Sequence, residues 1–275
     1  AYEIKECDWS SDVCSSDLHA IKYAWRDAKR TNHFVGGDPH DASMPMDYFV
    51  WLVRNAERTI VIDTGFNQAM ADKRKRVFIR QPAEGLALLG VKAAEVKDVI
   101  ITHLHYDHVG TFQDFPKAQF HLQDLEMNYA TGRHMRHKQF NHGYEVEEVI
   151  GMVRLVYGNR VSFYNGDAEL APGISIHHIG GHTMGLQCVR VHTARGWVVV
   201  ASDTSHYYEH FEQGRVFATT FHLGQTLDGY ARLKQLADTV KHIVPGHDPL
   251  VMERYPASSP ALKGIAVRLD EVPNY

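Results

Sequence analysis

Residues 99–110 read Val-Ile-Ile-Thr-His-Leu-His-Tyr-Asp-His-Val-Gly, an apolar β-branched run followed by four metal-ligand types within six residues: His103, His105, Asp107 and His108. Val99 to Thr102 predicts a strand. Along an extended chain side chains repeat direction every second residue, so His103 and His105 share one side while the turn that follows carries Asp107 and His108 around a second centre. Imidazole suits zinc, iron and nickel, and mixed imidazole and carboxylate ligation with an open position is typical of hydrolytic zinc. A lone histidine is most often a packed or surface group. Four ligand types at this density, in a chain carrying 19 histidines, predict a metal site.

Three more segments share this character: Gly180-Gly181-His182-Thr183, Ala201-Ser202-Asp203 after the apolar run Trp197 to Val200, and Val244-Pro245-Gly246-His247-Asp248. Each sets a ligand type directly after a strand or turn. Between them the periodicity changes repeatedly. Residues 20–24 predict a strand, residues 25–47 a long loop in which Phe34, His33 and His40 are candidates for a pocket wall. Tyr48 to Arg54 and Arg58 to Asp63 predict a hairpin. The charge run Lys73 to Arg76 predicts a solvated helix face, and Leu86, Leu89, Val91 and Val96 a short helix. After a strand at 118–122, residues 123–160 predict a helical insertion. A series of strands at 161–164, 174–178, 186–192 and 197–202, a helix near 226–240 and a strand at 242–245 complete an α/β sandwich with helices outside two sheets.

With these residues the chain resembles the metallo-β-lactamase superfamily, whose pattern is HxHxDH followed by a histidine, a bridging aspartate and a final histidine. The resemblance covers residues 48–256 and implies a four-layer αββα sandwich. It implies two divalent metal ions, zinc first with iron, manganese or cobalt as alternatives. His103, His105 and His182 would hold one ion, Asp107, His108 and His247 the other, and Asp203 would bridge them. Asp63 matches an acidic position that orients ligands from behind, a turn-capping role being the alternative.

His108 departs from the commonest β-lactamase subclass, and the flavin-linked diiron group needs a carboxylate in place of His105. The phrases PMDYFVW (45–51), THLHYDHVG (102–110), FHLQDLEM (120–127), GGHTMGLQ (180–187), ASDTSHYY (201–208) and VPGHDP (244–249) look like the N-acyl-homoserine-lactonase group, which includes quorum-quenching lactonases and pyridoxolactonase. That resemblance implies opening of a lactone ring, an N-acyl-homoserine lactone or a related small lactone, by a metal-bridging hydroxide, with Asp107 passing a proton to the leaving alkoxide. Quorum-quenching members carry a substrate-binding tyrosine three positions after the bridging aspartate. Here that position is His206, followed by Tyr207 and Tyr208, so His206 and Tyr207 are the candidates for assisting catalysis. Phe34 and His222 are candidate substrate contacts. The basic residues of the insertion, Arg133 to His142, read either as a carboxylate-recognition patch or as a solvated face. An aromatic lactonase, a glyoxalase II-like thioester hydrolase and an iron-dependent sulfur oxygenase remain alternatives.

The 275 residues, 44% hydrophobic and 23% charged, describe a folded globular protein. A net charge of −4 gives no general basic surface for a nucleic acid. No apolar run reaches membrane-spanning length, and three cysteines without framework spacing fit a reducing compartment, so a cytoplasmic bacterial enzyme is expected, with a homodimer left open. Residues 8–18, DWSSDVCSSDL, match one reading frame of a sequencing-library adapter, which points to a metagenomic or draft-genome source. Residues 1–18 are therefore expected to be non-native and residues 19–275 to form one domain.

Overall fold

The computed structural model describes residues 15–274, so most of the suspect segment, residues 8–14, lies outside the described residues. Its last two residues, Asp17 and Leu18, begin the first strand, β1 (Asp17–Arg26), opposite Arg54 and Val53. The sheet that β1 enters is apolar on both faces. In β2 (Met46–Arg54), Phe49, Trp51 and Val53 belong to one buried cluster, and Tyr48, Val50 and Leu52 to another. Alternation along a strand sends these two sets to opposite sides, so the sheet must be covered twice.

This first sheet has the order β13 (Ala266–Arg268), β1, β2, β3 (Thr59–Ile62), β5 (Asp98–Ile100), β6 (Gln119–Gln123), β7 (Val161–Tyr164), with the short β4 (Val77–Phe78) also paired to β1. The second sheet runs β12 (Ile243–Pro245), β11 (Gly196–Ser202), β10 (Gln187–Thr193), β9 (Ile174–His178), β8 (Ala168–Ala171). Between the sheets lie Trp51, Ile62, Ile100, Ile176, Val189 and Val200. Helix Leu223–Leu236 covers the outside of the second sheet through Tyr230, Leu233 and Leu236. Helix Pro82–Leu88 and the insertion cover the outside of the first through Leu86, Tyr129, Tyr144 and Met152. The four-layer αββα architecture follows. No described helix is long and apolar enough to cross a membrane.

The insertion is helical, with helices Asp124–Ala130 and Val146–Tyr157 flanking two short turns. It is also the crossover between two parallel strands, because β7 pairs with β6. Val161 to Tyr164 therefore joins the first sheet and not the second series in which it stands along the chain. A hydrogen bond from Phe120 N to the Arg160 carbonyl locks that placement. β4, β8 and β13 are too short or too mixed in polarity to stand out by periodicity. The helix expected near 226–240 starts earlier, where the His222 ring accepts from Gln225 N, and ends at Leu236 as Ala237 turns extended.

β3, β5 and β6 run parallel, as do β11 and β12. Their carboxyl ends open on one side of the sandwich, where parallel sheets place their ligand-bearing loops. Asp63, the HLHYDH segment, Asp203 and His247 all follow such ends.

Cys188 is fully buried on β10 opposite His177, and burial pushes its thiol up to about 12. Native protein treated with iodoacetamide at pH 8 is expected to leave Cys188 unmodified by peptide mapping, and denatured protein to label it fully. Labelling in the native state would contradict its position between the sheets.

Candidate active site

The loop after β5 is shaped from below by Asp63. This fully buried residue takes a left-handed backbone, φ 60°, directly after β3. Its Oδ1 accepts from Thr102 N at 2.7 Å, and its Oδ2 accepts from Thr102 Oγ1 at 2.8 Å and from His108 Nδ1 at 2.7 Å. Thr102 Oγ1 also meets Ser202 Oγ at 2.8 Å, joining the two sheets at the point where Ser202, φ 46°, turns the chain toward Asp203. Burial pushes the Asp63 carboxyl up against the pull of His108 and Thr102. With Nδ1 of His108 committed to this carboxylate, its Nε2 is left to face Asp203.

The other imidazoles are aimed in the same way. His247 Nδ1 meets the Asp47 carbonyl at 2.8 Å, His182 Nδ1 the Thr219 carbonyl, and His103 Nδ1 the Thr102 hydroxyl at 3.2 Å. Their inward atoms converge on Asp203. Its Oδ2 lies 3.9 Å from His103 Nε2, 3.3 Å from His182 Nε2 and 2.9 Å from His206 Nε2. Its Oδ1 lies 3.3 Å from His108 Nε2 and 3.0 Å from His247 Nε2, and Asp107 Oδ2 stands 3.8 Å from each of those two nitrogens. One carboxylate thus faces two separate groups of imidazoles with its two oxygens. His105 Nδ1 completes the first group, 3.0 Å from His182 Nε2.

Ligand atoms within His103, His105 and His182, and within Asp107, His108 and His247, lie within 4.8 Å of one another, as do those of His103, His108 and Asp203. His103 Nε2, His108 Nε2 and Asp203 Oδ1 are buried yet make no aligned hydrogen bond among the described residues. Buried polar atoms ordinarily find partners, so lone pairs converging in this way fit divalent cations. Burial, reinforced by the neighbouring rings, drives the His103 and His105 pKa values well down, which favours the neutral imidazole, the form that can hold a cation. Burial opposes charge on His108 and His247 too, but the neighbouring carboxylates together outweigh it and raise both, Asp203 with Asp63 and Asp107 at His108 and Asp203 with Asp107 at His247. The Asp203 carboxyl falls well below the usual range because His247, His108 and His206 overcome its own burial.

Glu126 is a part of the site that the sequence reading did not single out. It is fully buried and accepts four hydrogen bonds: from Leu104 N at 2.9 Å, Tyr144 Oη at 2.8 Å, Thr183 Oγ1 at 2.6 Å and Gly185 N at 3.1 Å. It therefore ties the His103–His105 loop, the insertion and the His182 loop together. Its signal was present, since Glu126, Tyr129 and Ala130 stand at helical spacing in helix Asp124–Ala130 and put an acid on an otherwise apolar buried face.

The cavity above the cluster is lined by Asp107, His206, His247, Arg26, Met46 and Arg76, among others. His206, expected beside the substrate, lines it while stacked on Phe217 with ring centroids 3.9 Å apart, and also joins His182 and Asp203 in a fourth metal-capable group. Tyr207 does not reach the cavity. Its hydroxyl is buried against His33 Nε2 and the Met44 and Pro45 carbonyls, because alternation past His206 turns it the other way. Phe34, expected as a substrate contact, packs instead with Met44, Met46 and Tyr207 beneath the Arg215 guanidinium. His222 caps helix Leu223–Leu236 and is not among the cavity residues. In the insertion His142 lines the cavity, whereas Arg133 to Lys138 do not. The solvated-face expectation holds for Lys73 and Lys75, but Arg74 and Arg76 turn inward to the cavity wall.

A family model described as the metallo-β-lactamase superfamily matches residues 45–247, the span that contains the whole ligand cluster. The chain belongs to that superfamily. As a member it is a metallo-hydrolase, of a family that uses divalent metals. An N-acyl homoserine lactonase of Bacillus cereus is 28% identical to it over 218 residues, 72% of this chain and 81% of that one. A probable metallo-hydrolase of Mycobacterium tuberculosis, Rv2300c, is 25% identical over 258 residues, 80% of each chain. Among solved structures, an N-acyl homoserine lactone hydrolase with N-hexanoyl-L-homoserine bound at its catalytic metal centre matches with a TM-score of 0.72 at 20% identity, covering 86% of this chain and 95% of that one. The hydrolase AbOPH matches at 0.70 and 16% identity over 95% of each chain. These structural likenesses establish the superfamily fold.

Two substitutions test the supports behind the ligands. Asp63→Asn is expected to weaken metal binding about 10–100-fold, measured by competition with a chromophoric chelator, because it leaves His108 without its orienting carboxylate. Glu126→Ala leaves the Leu104 and Gly185 amides buried without an acceptor, at about 1–3 kcal/mol each. Urea unfolding of metal-free protein should show that loss directly. Unchanged metal affinity in the first, or unchanged stability in the second, would contradict these roles.

Proposed function

We propose that this superfamily member is a metal-dependent lactonase that opens the ring ester of a small lactone. The observation that carries the reading is Asp203, whose two oxygens face two separate imidazole groups. Similarity to N-acyl homoserine lactonases along most of the chain supports the choice of lactones over other esters. His103, His105 and His182 would hold one divalent cation and Asp107, His108 and His247 the other, with Asp203 between them; zinc is the first candidate. Bound there, the pair supplies Lewis acidity toward the ring carbonyl and acidifies a water at neutral pH.

The chain itself does the orienting and the proton handling. Asp107 borders the cavity and has Oδ2 positioned between the His108 and His247 rings, so it can take a proton on the cavity side and return it to the alkoxide leaving the opened ring. His206 holds Asp203 Oδ2 through Nε2, and the Phe217 ring behind it fixes the imidazole plane. The position that carries a substrate-binding tyrosine in quorum-quenching lactonases is thereby occupied by a group engaged with Asp203. A general lactone hydrolase is accordingly favoured over one built around the acyl-homoserine amide.

Zinc-reconstituted protein should release acid from γ- or δ-lactones in a pH-indicator assay, and chelation should abolish the release. His103→Ala and Asp203→Ala are each expected to lose bound metal and at least about 10²-fold in activity, the scale of removing one electrostatic contact from a transition state. Cleavage of a glutathione thioester with no lactone opening would replace this reading with a thioesterase. A ligand variant keeping full metal and full turnover would reject the site.

A further inference from the structure

We propose that the substrate carries a carboxylate close to its hydrolysable bond, and that Arg26 and Arg76 receive it; the inference rests on the hydrolytic reading of the same cavity. Both arginines are half-buried in the wall of the cavity that Asp107 and His247 border. Arg26 ends β1 opposite Met46, and Arg76 lies between helix Gln68–Arg74 and β4.

Of the three arginines in the cavity wall, these two lack a counter-charge, whereas Arg74, like Arg30, Arg215 and Arg232 elsewhere in the fold, has a carboxylate oxygen within 3.1 Å. Among the described residues no carboxylate forms an ion pair with Arg26 or Arg76. Arg26 directs Nε and Nη2 at the Met46 thioether, at 3.2 and 2.8 Å, a weak acceptor that neutralises nothing. Arg76 donates from Nε to Tyr106 Oη at 3.1 Å and from Nη1 to the Arg74 carbonyl at 2.8 Å. These neutral contacts fix the fork in place and leave its charge uncompensated.

Arg74 shows that the arrangement is selective. Its guanidinium pairs with Glu145 at 2.7 Å and lies 3.9 Å from the centre of the Tyr106 ring. It is satisfied, and it supports Tyr106, which in turn holds Arg76. The Tyr48 ring is 5.9 Å from Arg76 Cζ and 5.2 Å from the His247 ring, so one aromatic ring spans the distance from the guanidinium to the ligand cluster. A group bound by Arg76 therefore belongs on the lactone ring or a bond or two from it, not at the end of a long acyl chain. Asp107 acts on Arg76 only through space, and both it and Asp203 direct carboxylate oxygens at the imidazole cluster and form no ion pair with either arginine. A planar guanidinium fork matches a carboxylate in two parallel hydrogen bonds, and a neutral lactone would leave both forks unpaired.

The test compares 5-oxotetrahydrofuran-2-carboxylate with its methyl ester on the zinc-loaded wild type, following ring opening by chromatography. The carboxylate is expected to have the higher kcat/KM by about 10²-fold or more, as for sites built to pair a polar group. Arg76→Gln should lower that ratio at least about tenfold, and Arg76→Lys should restore part of it by returning the charge. Equal rates on the two lactones in the wild type overturn the proposal while leaving the lactonase reading intact. If neither ring opens, calorimetric binding decides: 2-hydroxyglutarate, the ring-opened product, should bind more tightly than 4-hydroxybutyrate, and Arg76→Gln should erase the difference. Equal binding of the two would overturn the proposal independently of the reaction.

Discussion

A single buried carboxylate, Glu126, ties three segments of the site together. Three of the segments that form the site leave different elements: the HLHYDH loop follows β5, the Tyr144 segment sits inside the crossover, and the His182 loop joins β9 to β10. None of them is held to another by sheet pairing. Glu126 gathers one donor from the first, one from the second and two from the third. Its own burial is unfavourable and raises its pKa, and the four donors offset that cost only in the native arrangement. The site is thus built around an acid that never reaches the cavity.

Asp63 plays the corresponding part on the other side. Both it and Ser202 adopt left-handed backbone at strand ends, conformations that β-branched or bulky residues disfavour. Through Thr102 they join the floor of the first sheet to the edge of the second, so the ligands carried by each sheet keep a common frame. His103, His105 and His182 are kept neutral by the same burial that makes their convergence costly. A cluster of this kind persists because the double-sided core of the sandwich supplies the stability that the polar cluster does not.

The candidate ligands were legible in the sequence because their chemistry is dense and each follows a strand or turn next to an apolar run. The structure brings His103, His105, Asp107, His108, His182, Asp203 and His247 together in one cluster, with Asp63 behind His108. The hairpin, the insertion and the two-sheet sandwich were legible from periodicity and turn residues. The cavity wall was not. Whether Tyr207 or His206 faces inward depends on the turn after Asp203, and one residue of phase reverses the answer. Arg74 and Arg76 sit in a charge run whose composition is that of a solvated face, and tertiary contacts, Glu145 with Arg74 and Tyr106 with both, turn two of its four members inward. Phe34 lies in a loop without periodicity, where tertiary contacts alone decide direction. The assignment of β7 to the first sheet depended on a long-range pairing that no local pattern carries.

The insertion contributes His142 and Gly143 to the cavity, and the Arg74–Arg76 segment contributes its basic wall, while neither supplies a metal-capable residue. Gly143 packs so closely on His105 that a Cβ there would stand 2.6 Å from Nε2, and Tyr144 beside it is tied to the same framework through Glu126, as Arg76 is through Tyr106. Away from these anchors the two surfaces are separable. Evolution can redraw the outline of the acceptable molecule through surface segments while the reaction chemistry stays constant beneath, and one scaffold of this kind can give rise to a lineage of enzymes differing in diet but not in method.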